Sequence, residues 1–308
     1  MLNKTTQNIR HRGMSKFDRQ AILMLSPQIL GFVLFTLYPI LWVIRLAWYD
    51  YDGITLKFIG FDNFIRVFTR DPLYWKSILN TIILSFGKLA IELPLALILA
   101  VFLNEKWLKG KSFLRTMFFL PNIVSPAIIG LIFGFIFSTF NGFVNEILMH
   151  FQAIDAPINW FSNKWLAMLV IMIASIWQGF GINMLFFLSG LLNIPQELYE
   201  AADVDGANVC QKFVHVTLPL LAPVMRVICM LAILGSMKIS DLVLVLTNGQ
   251  PAGGTEVVMT YIFKNTFAYG NMSQIPQIGY SACLGLVTSI IIGLITLYYN
   301  HISKKATM

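Results

Sequence analysis

Four carboxylates, Glu197, Glu200, Asp203 and Asp205, fall within nine residues in the stretch ELYEAADVDGANVCQKFVHVTLPLLAP, which runs from Glu197 to Pro223. Acidic groups at this density suit the grip of a basic-rimmed protein cleft, and their neighbours say how they are displayed. Pro195 stands where a helix can begin, two residues after Asn193, an N-cap residue type. Glu197 and Glu200 then occupy the first turns, where carboxylates complement the positive end of the helix dipole. Ala201 and Ala202 leave a face almost free of side chain, and Gly206 can take the left-handed conformation that ends a helix. A second helix is predicted from about Asn208, with Val209, Phe213 and Val216 at i, i+4 and i+7 as its apolar stripe, before Leu218-Pro219 leads into an apolar span. The product, over 195–217, is a bent pair of short helices shaped as a ligand for a groove. Lipid headgroups are the other candidate surface, but helices that lie on them carry Lys and Arg on the polar face, and this one is acidic.

A second set of polar groups lies inside apolar segments, where such residues are costly and mark function by default. Lys88 and Glu92 stand at i, i+4 and read as a mutually neutralised pair facing the bundle interior. Lys238 and Asp241 stand at i, i+3 near the outer end of their span, with a similar pairing available. Ser175, Trp177, Gln178 and Asn183 share one span. An aromatic face beside hydroxyls and amides is the chemistry that binds sugars, although a tryptophan at mid-span also serves simple packing. Pro94, Pro121 and Pro126 each remove a backbone hydrogen bond and permit a kink.

Chemistry of other kinds is not written in the chain. Gly110-Lys111-Ser112 resembles the end of a phosphate-binding loop, but Glu105 stands where that motif requires glycine, and no strand precedes it. There is no H-E-x-x-H, no paired Cys-x-x-Cys and no nucleophile elbow. His11, His150, His215 and His301 lie in tails or at span ends and share no site. Cys210, Cys229 and Cys283 have no metal-like spacing and read as small buried hydrophobes. No catalytic residue, cofactor or metal is expected in this chain, and the energy for any work it does must come from another polypeptide.

The elements that position these residues are legible from hydropathy. The 308 residues are 57% hydrophobic and only 12% charged, about half the charged share of a soluble domain. The apolar residues come in blocks of about 20 or more, enough to cross a bilayer. Six spans are predicted, roughly Ala21–Trp48, Asn80–Leu103, Met117–Phe140, Trp165–Leu192, Leu218–Leu246 and Ile278–Tyr299, each helical because hydrocarbon cannot satisfy an open backbone. The class is therefore all-α, a polytopic helical bundle at 21–299 with short tails at 1–20 and 300–308 and no soluble domain. The net charge of +7 then belongs to a membrane rather than to nucleic acid. With these spans, one side carries 12 Lys and Arg and the other 6. The richer side faces the cytoplasm, which places both termini and the acidic segment there.

The acidic segment also carries a resemblance. Glu200-Ala201-Ala202, three residues, Gly206, nine residues, Val216, one residue and Leu218-Pro219 resemble the "EAA" signature of ABC importer membrane subunits, with valine in place of the usual isoleucine. EAADVDGA (Glu200–Ala207), IGFDNF (Ile59–Phe64), FLRTMFFLP (Phe113–Pro121), KISDLVLVLTNGQP (Lys238–Pro251) and IGYSACLG (Ile278–Gly285) extend the resemblance, to the carbohydrate branch of that family, over nearly the whole chain. It implies a type I importer permease in a bacterial cytoplasmic membrane, paired with a second, homologous permease subunit. Two cytoplasmic ATPases, which hold the ATP and Mg, would each grip one such segment, and an extracellular solute-binding protein would deliver a carbohydrate, most naturally an oligosaccharide. The segment would be the coupling helix, with Glu200 meeting basic groups and Ala201, Ala202 and Gly206 allowing close docking and the bend. Asp203, Asp205, Leu218 and Pro219 belong to the same element. The resemblance also places Ser175, Trp177, Gln178 and Gly179, with Ser236 and Lys238, along the sugar pathway. Asn183 and Asp241 complete that candidate set from the reading of the spans. Glycerol phosphate is the nearest alternative cargo. The rival of another class is an ion-driven carrier or channel working through Lys88, Glu92 and Asp241.

Overall fold

The computed structural model describes residues 16–105, 107–270 and 275–305. The chain opens with α1 (Lys16–Phe32), which passes through one wide π-helical turn (Val33–Leu37) into α2 (Tyr38–Leu46). A hairpin of β1 (Tyr49–Tyr51) and β2 (Leu56–Phe58), pairing Tyr49 with Phe58, leads to α3 (Asp62–Thr69) and the long α4 (Pro72–Asn104). Next come α5 (Lys111–Ile123), α6 (Pro126–Ile136), α7 (Phe143–His150) and α8 (Lys164–Leu192). The elbow contains α9 (Gln196–Val204) and α10 (Val209–Lys212); a second π-helical turn (Phe213–Thr217) carries the latter into α11 (Leu218–Ser236). Finally α12 (Asp241–Leu246), α13 (Val258–Phe267) and α14 (Ile278–Lys305) close the fold.

Among the described residues, five helical stretches are long and apolar enough to cross a membrane: Ile22–Leu46, Pro72–Asn104, Lys164–Leu192, Val209–Leu246 and Ile278–Ser303. The predicted third span is different. Instead of one helix over Met117–Phe140, α5 and α6 meet at an angle of 95°. Val124 and Ser125 are extended, with ψ of 136° at each. Proline disfavours the helical region in the residue before it and has no N–H to continue the ladder, so the chain leaves the helix at Ile123 and restarts at Pro126. Pro94, by contrast, lies inside α4 without interrupting it.

Other boundaries also move. α4 begins eight residues before the predicted start of span two, because Asp71 caps it by accepting from the Tyr74 N–H and Pro72 suits the first turn. Helix α1 starts at Lys16 and α14 ends at Lys305, so both run into the stretches expected to be tails. The tail charges Lys4, Arg10 and Arg12, and residues 306–308, lie outside the described residues, as does Lys106. Each π-helical turn is followed by an Xaa-Pro pair, Tyr38-Pro39 and Leu218-Pro219, and is closed by bonds from Tyr38 N–H to Val33 O and from Leu218 N–H to Phe213 O. A proline crowds the carbonyl four residues before it, and a wider turn relieves the clash.

The core lies along α4 and α8. Toward the elbow, Ala96, Ala100 and Leu103 of α4 pack with Met184, Phe187, Leu188 and Leu191 of α8 and with Leu221 and Ile228 of α11. At the other end Tyr74, Val258, Tyr261, Tyr280 and Leu284 join α4, α13 and α14. There the Asp71 carboxylate accepts from the hydroxyls of both Tyr261 and Tyr280. Burial, and the adjacent Asp71, push the Tyr261 phenol well above its ordinary pKa.

The connections at this end are bolted by amides and one ion pair. Buried Asn145 donates to the carbonyls of Ser138 and Ile158 and accepts from Ile158 N–H and Trp160 Nε1. Asn80 of α4 donates to Gly254 O at 2.9 Å and Glu256 O at 2.8 Å. Lys264 Nζ meets Glu256 Oε2 at 2.6 Å and Asn248 O at 2.8 Å, with the two side chains only 6% and 2% exposed. Removing one member of a buried pair strands the other charge, at about 3–5 kcal/mol. Lys264→Met alone is therefore expected to lower the thermal midpoint of the purified protein by several degrees. The double variant Glu256→Leu/Lys264→Met should recover much of that loss.

Candidate functional site

The acidic segment forms an exposed elbow at the α8–α11 junction. Helix α9 buries none of its residues. It starts at Pro195 with no side-chain cap. Asn193, expected to cap it, instead closes the end of α8, donating from Nδ2 to Ser189 O at 2.9 Å. Gly206 has φ of +74°, and a Cβ there would meet nothing within 4 Å. The backbone conformation, not crowding, is what calls for glycine at this position. The turn is closed by Gly206 N–H to Asp203 O and Ala207 N–H to Ala202 O.

Beyond the turn, Asn208 caps α10 in a capping box with Gln211, as the sequence suggested near Asn208. α10 is not a free-standing second helix, however: Val209–Leu246 is one helical stretch apart from the break after Ser236. The elbow is thus the end of a span. Two contacts fix its angle, Lys212 Nζ to Asp203 Oδ1 at 2.6 Å and Tyr199 Oη to Thr217 Oγ1 at 3.0 Å. Glu197, Glu200, Ala201 and Asp205 remain exposed, and so do the apolar Val204 (88%) and Val209 (79%). Ala202, Gly206, Gln211, Lys212 and His215 line a cleft between the arms. Leu218 and Pro219 sit in the first turn of α11. Cys210, read from sequence as a buried hydrophobe, is exposed here on the short α10, which buries none of its residues; Cys283 is buried and Cys229 half-buried.

The intramembrane candidates fall into three places. Lys88 and Glu92 pair at 3.2 Å with the carboxylate 2% exposed, and Asn183 Nδ2 of α8 donates to Glu92 Oε1 at 2.6 Å. Gly179 belongs to the same cluster, because a Cβ there would stand 2.6 Å from Glu92 Oε1. One helical turn from Asn183, Gly179 makes the room that Glu92 occupies. This union of α4 and α8 went unseen in the sequence, where Glu92 and Asn183 lie 91 residues apart. The i, i+4 spacing of Gly179 and Asn183 was the available signal.

Gln178 is drawn to the α5–α6 break, its Nε2 donating to Val124 O at 3.3 Å. Trp177 is 39% exposed and packs its ring against Phe133 at 5.7 Å. The hydroxyls of Ser175 and Ser236 are back-bonded to their own helices, at Ile171 O and Ile233 O. Lys238 and Asp241 do not form the pair that their spacing allowed. The helix tightens after Ser236 into i→i+3 bonds from Lys238 N–H to Gly235 O and from Ile239 N–H to Ser236 O. That break separates the two side chains, and Asp241 accepts from Ser240 Oγ instead. Lys111 of the phosphate-loop look-alike donates to Asn104 O, at the end of α4.

Residues 92–308 match the family described as binding-protein-dependent transport system inner membrane component. The chain belongs to this family. Its members are membrane-embedded transport components, which accords with a multi-pass protein. The arabinooligosaccharides transport system permease protein of Bacillus subtilis is 33% identical over 277 residues, covering 89% of this chain and 85% of the relative. The lactose transport system permease protein of Rhizobium radiobacter is 33% identical over 291 residues, covering 94% and 95%. Among solved structures, a bacterial ABC transporter involved in the import of the acidic polysaccharide alginate superposes with a TM-score of 0.80 at 24% identity, covering 95% of this chain and 98% of that one. The fold of this permease is therefore that of an ABC importer membrane subunit.

Gly179→Ala would drive a methyl group onto a pinned carboxylate, and a cost of about 1–3 kcal/mol is expected from such overpacking. Gly206→Ala should cost about 1 kcal/mol through its positive φ, and Gly206→Asn less. Thermal midpoints of the purified variants measure both.

Proposed function

We propose that the chain is the permease subunit of an ATP-driven importer whose cargo is a carbohydrate, most naturally an oligosaccharide, and that the α9–α10 elbow is where a separate ATPase takes hold. The cargo class rests on relatives named for arabinooligosaccharide and lactose transport. The observation that carries the coupling role is the elbow itself: an acidic surface with two nearly bare valines, stiffly joined to a span. Apolar side chains left this exposed outside the lipid call for a protein partner. The carboxylates ask for basic residues around its cleft.

In this reading Glu200 pairs with basic groups of the ATPase, Ala201 and Ala202 let its surface approach, and Asp205 adds to the acidic rim. Asp203, tied to Lys212, holds the elbow's angle, and Leu218 and Pro219 lead the push into α11. Both termini and the elbow then face the cytoplasm. A homologous second permease subunit completes the pathway, and an extracellular binding protein supplies the sugar. ATP and Mg belong to the ATPase. Ser175, Trp177, Gln178, Gly179, Asn183, Ser236, Lys238 and Asp241 remain the proposed pathway residues. Trp177, Lys238 and Asp241 have the surface exposure needed to touch cargo, whereas Gly179, Asn183 and Gln178 would shape the pathway from behind.

The test is uptake by proteoliposomes that hold the permease pair, its ATPase and its binding protein. Transport should require ATP and persist with a protonophore; ATP-independent uptake abolished by the protonophore would sink the reading. Glu200→Lys should reduce ATP-driven uptake about tenfold or more, since a charge-assisted contact is worth roughly 1.5–3 kcal/mol. Gly206→Pro should uncouple ATP hydrolysis from uptake while the spans still insert.

A further inference from the structure

At the end of the bundle opposite the elbow, α3 divides its surface three ways. Asn63 and Val67 are buried, at 6% and 0% exposure, and Asn63 Nδ2 donates to the carbonyls of Ala47 and Tyr49, both at 3.0 Å. Asp62, Arg66 and Thr69 form a polar flank. On the remaining side, Phe61, Ile65 and Phe68 stand at i, i+4 and i+7 and are 66%, 49% and 58% exposed. Among the described residues only neighbouring aromatic rings touch this stripe, at its two ends, and about half or more of its surface is left uncovered.

The helix lies between the end of one apolar stretch, at Leu46, and the start of the next, at Pro72, which puts it at the membrane end of the bundle within reach of the bilayer surface. Its apolar stripe is continuous with the exposed faces of those spans. Phe68 packs on Trp75 of α4, with ring centroids 5.7 Å apart, and below Trp75 the exposed Leu79 and Phe86 run down the same helix. Phe61 and Phe64 pack on Trp48, just past α2, at 6.5 and 5.3 Å. Trp and Tyr with flanking Arg mark the boundary of a bilayer, and here Arg45 lies 5.3 Å from the rings of both Trp42 and Tyr49. Lipid that covers Trp75 and Leu79 covers Phe68 as well.

We infer that α3 is an interfacial anchor whose Phe61–Ile65–Phe68 stripe is immersed in the lipid at the bilayer surface, with Asp62, Arg66 and Thr69 turned to water. An amphipathic helix binds this boundary through the apolar area it buries. The anchor is not isolated from the bundle: Arg66 donates to Gln277 at 2.8 Å and lies 3.8 Å from the Tyr280 ring, so it links the bilayer surface to the first turn of α14. The inference needs only that the chain spans a membrane. It is independent of cargo, of energy source and of which side is cytoplasmic.

Nitroxide spin labels test it on the full chain, assembled with its partner subunits in phosphatidylcholine nanodiscs. The background is Cys210→Ser/Cys229→Ser, with buried Cys283 retained. Labels at Ile65→Cys and Phe68→Cys should show a ratio of oxygen to nickel-chelate collision rates several-fold above labels at Asp62→Cys and Thr69→Cys. Equal ratios at the four sites would place the stripe in water and overturn the inference. Loss of both collision rates at Ile65 and Phe68 would show that a protein covers the stripe, and would overturn it equally. If the labelled variants fail to assemble, a benzophenone amino acid in place of Phe68 gives the second readout. Illumination should yield a lipid adduct by mass, and an adduct with another polypeptide, or none, would refute the anchor.

Discussion

Hydrocarbon offers no partner to a peptide group, so wherever this chain leaves a helix at membrane depth, something in the protein must take the released carbonyl. Side-chain amides do this at the corner within the bundle, and they do the same for buried carbonyls in the connections beyond the spans. Gln178 takes Val124 O at the α5–α6 corner, Asn80 takes Gly254 O and Glu256 O, and Asn63 takes Ala47 O and Tyr49 O. Asn145 does the same for the connection around α7. A side-chain amide can donate twice, so one residue satisfies two neighbouring breaks without bringing a charge into the interior.

The same economy governs the charged groups. Glu92 is buried only because Lys88 and Asn183 reach its two oxygens and Gly179 yields it space. Glu256 and Lys264 are buried together, with Thr260 and Asn248 O completing their bonds. The elbow obeys the opposite rule. Its carboxylates and valines stay exposed, and only Asp203 is spent internally. The elbow thus differs from the interior of the bundle, where the buried carboxylates Glu92 and Glu256 are each met by a lysine.

Much of this was legible in the sequence where physics acts locally. Span composition, the left-handed glycine at 206, the Asn208 cap and the Lys88–Glu92 pair all depend on residues within a few positions of each other. The 95° corner was half visible. Pro126 announced an interruption, but a proline states only that a bond is missing, and Pro94 shows that a helix can absorb one. What decides between kink and corner is whether a distant residue such as Gln178 can take the freed carbonyl. The Asn183–Glu92 contact, the Asn80 bridge and the buried ion pair failed to show for the same reason, being contacts between distant segments. The Lys238–Asp241 pair was a false positive of spacing, since i, i+3 guarantees proximity only while the helix continues.

The first span illustrates what little contact can mean. Only 6% of the Ile22–Leu46 window is buried, whereas Leu46 and Ala47 at its end are held in the fold. A helical stretch of 25 residues is roughly 37 Å long at 1.5 Å per residue, and among the described residues its packing on the bundle is gathered at the α2 end, against α14. Pivoting by about 10° at that tip would sweep the far end through some 6 Å, by simple trigonometry on the same length. The bundle therefore holds the far end of this helix only weakly. Its inclination is then open to the thickness of the surrounding bilayer and to the flank of a neighbouring chain, and a bundle studied alone in detergent should show that end moving more than the other spans.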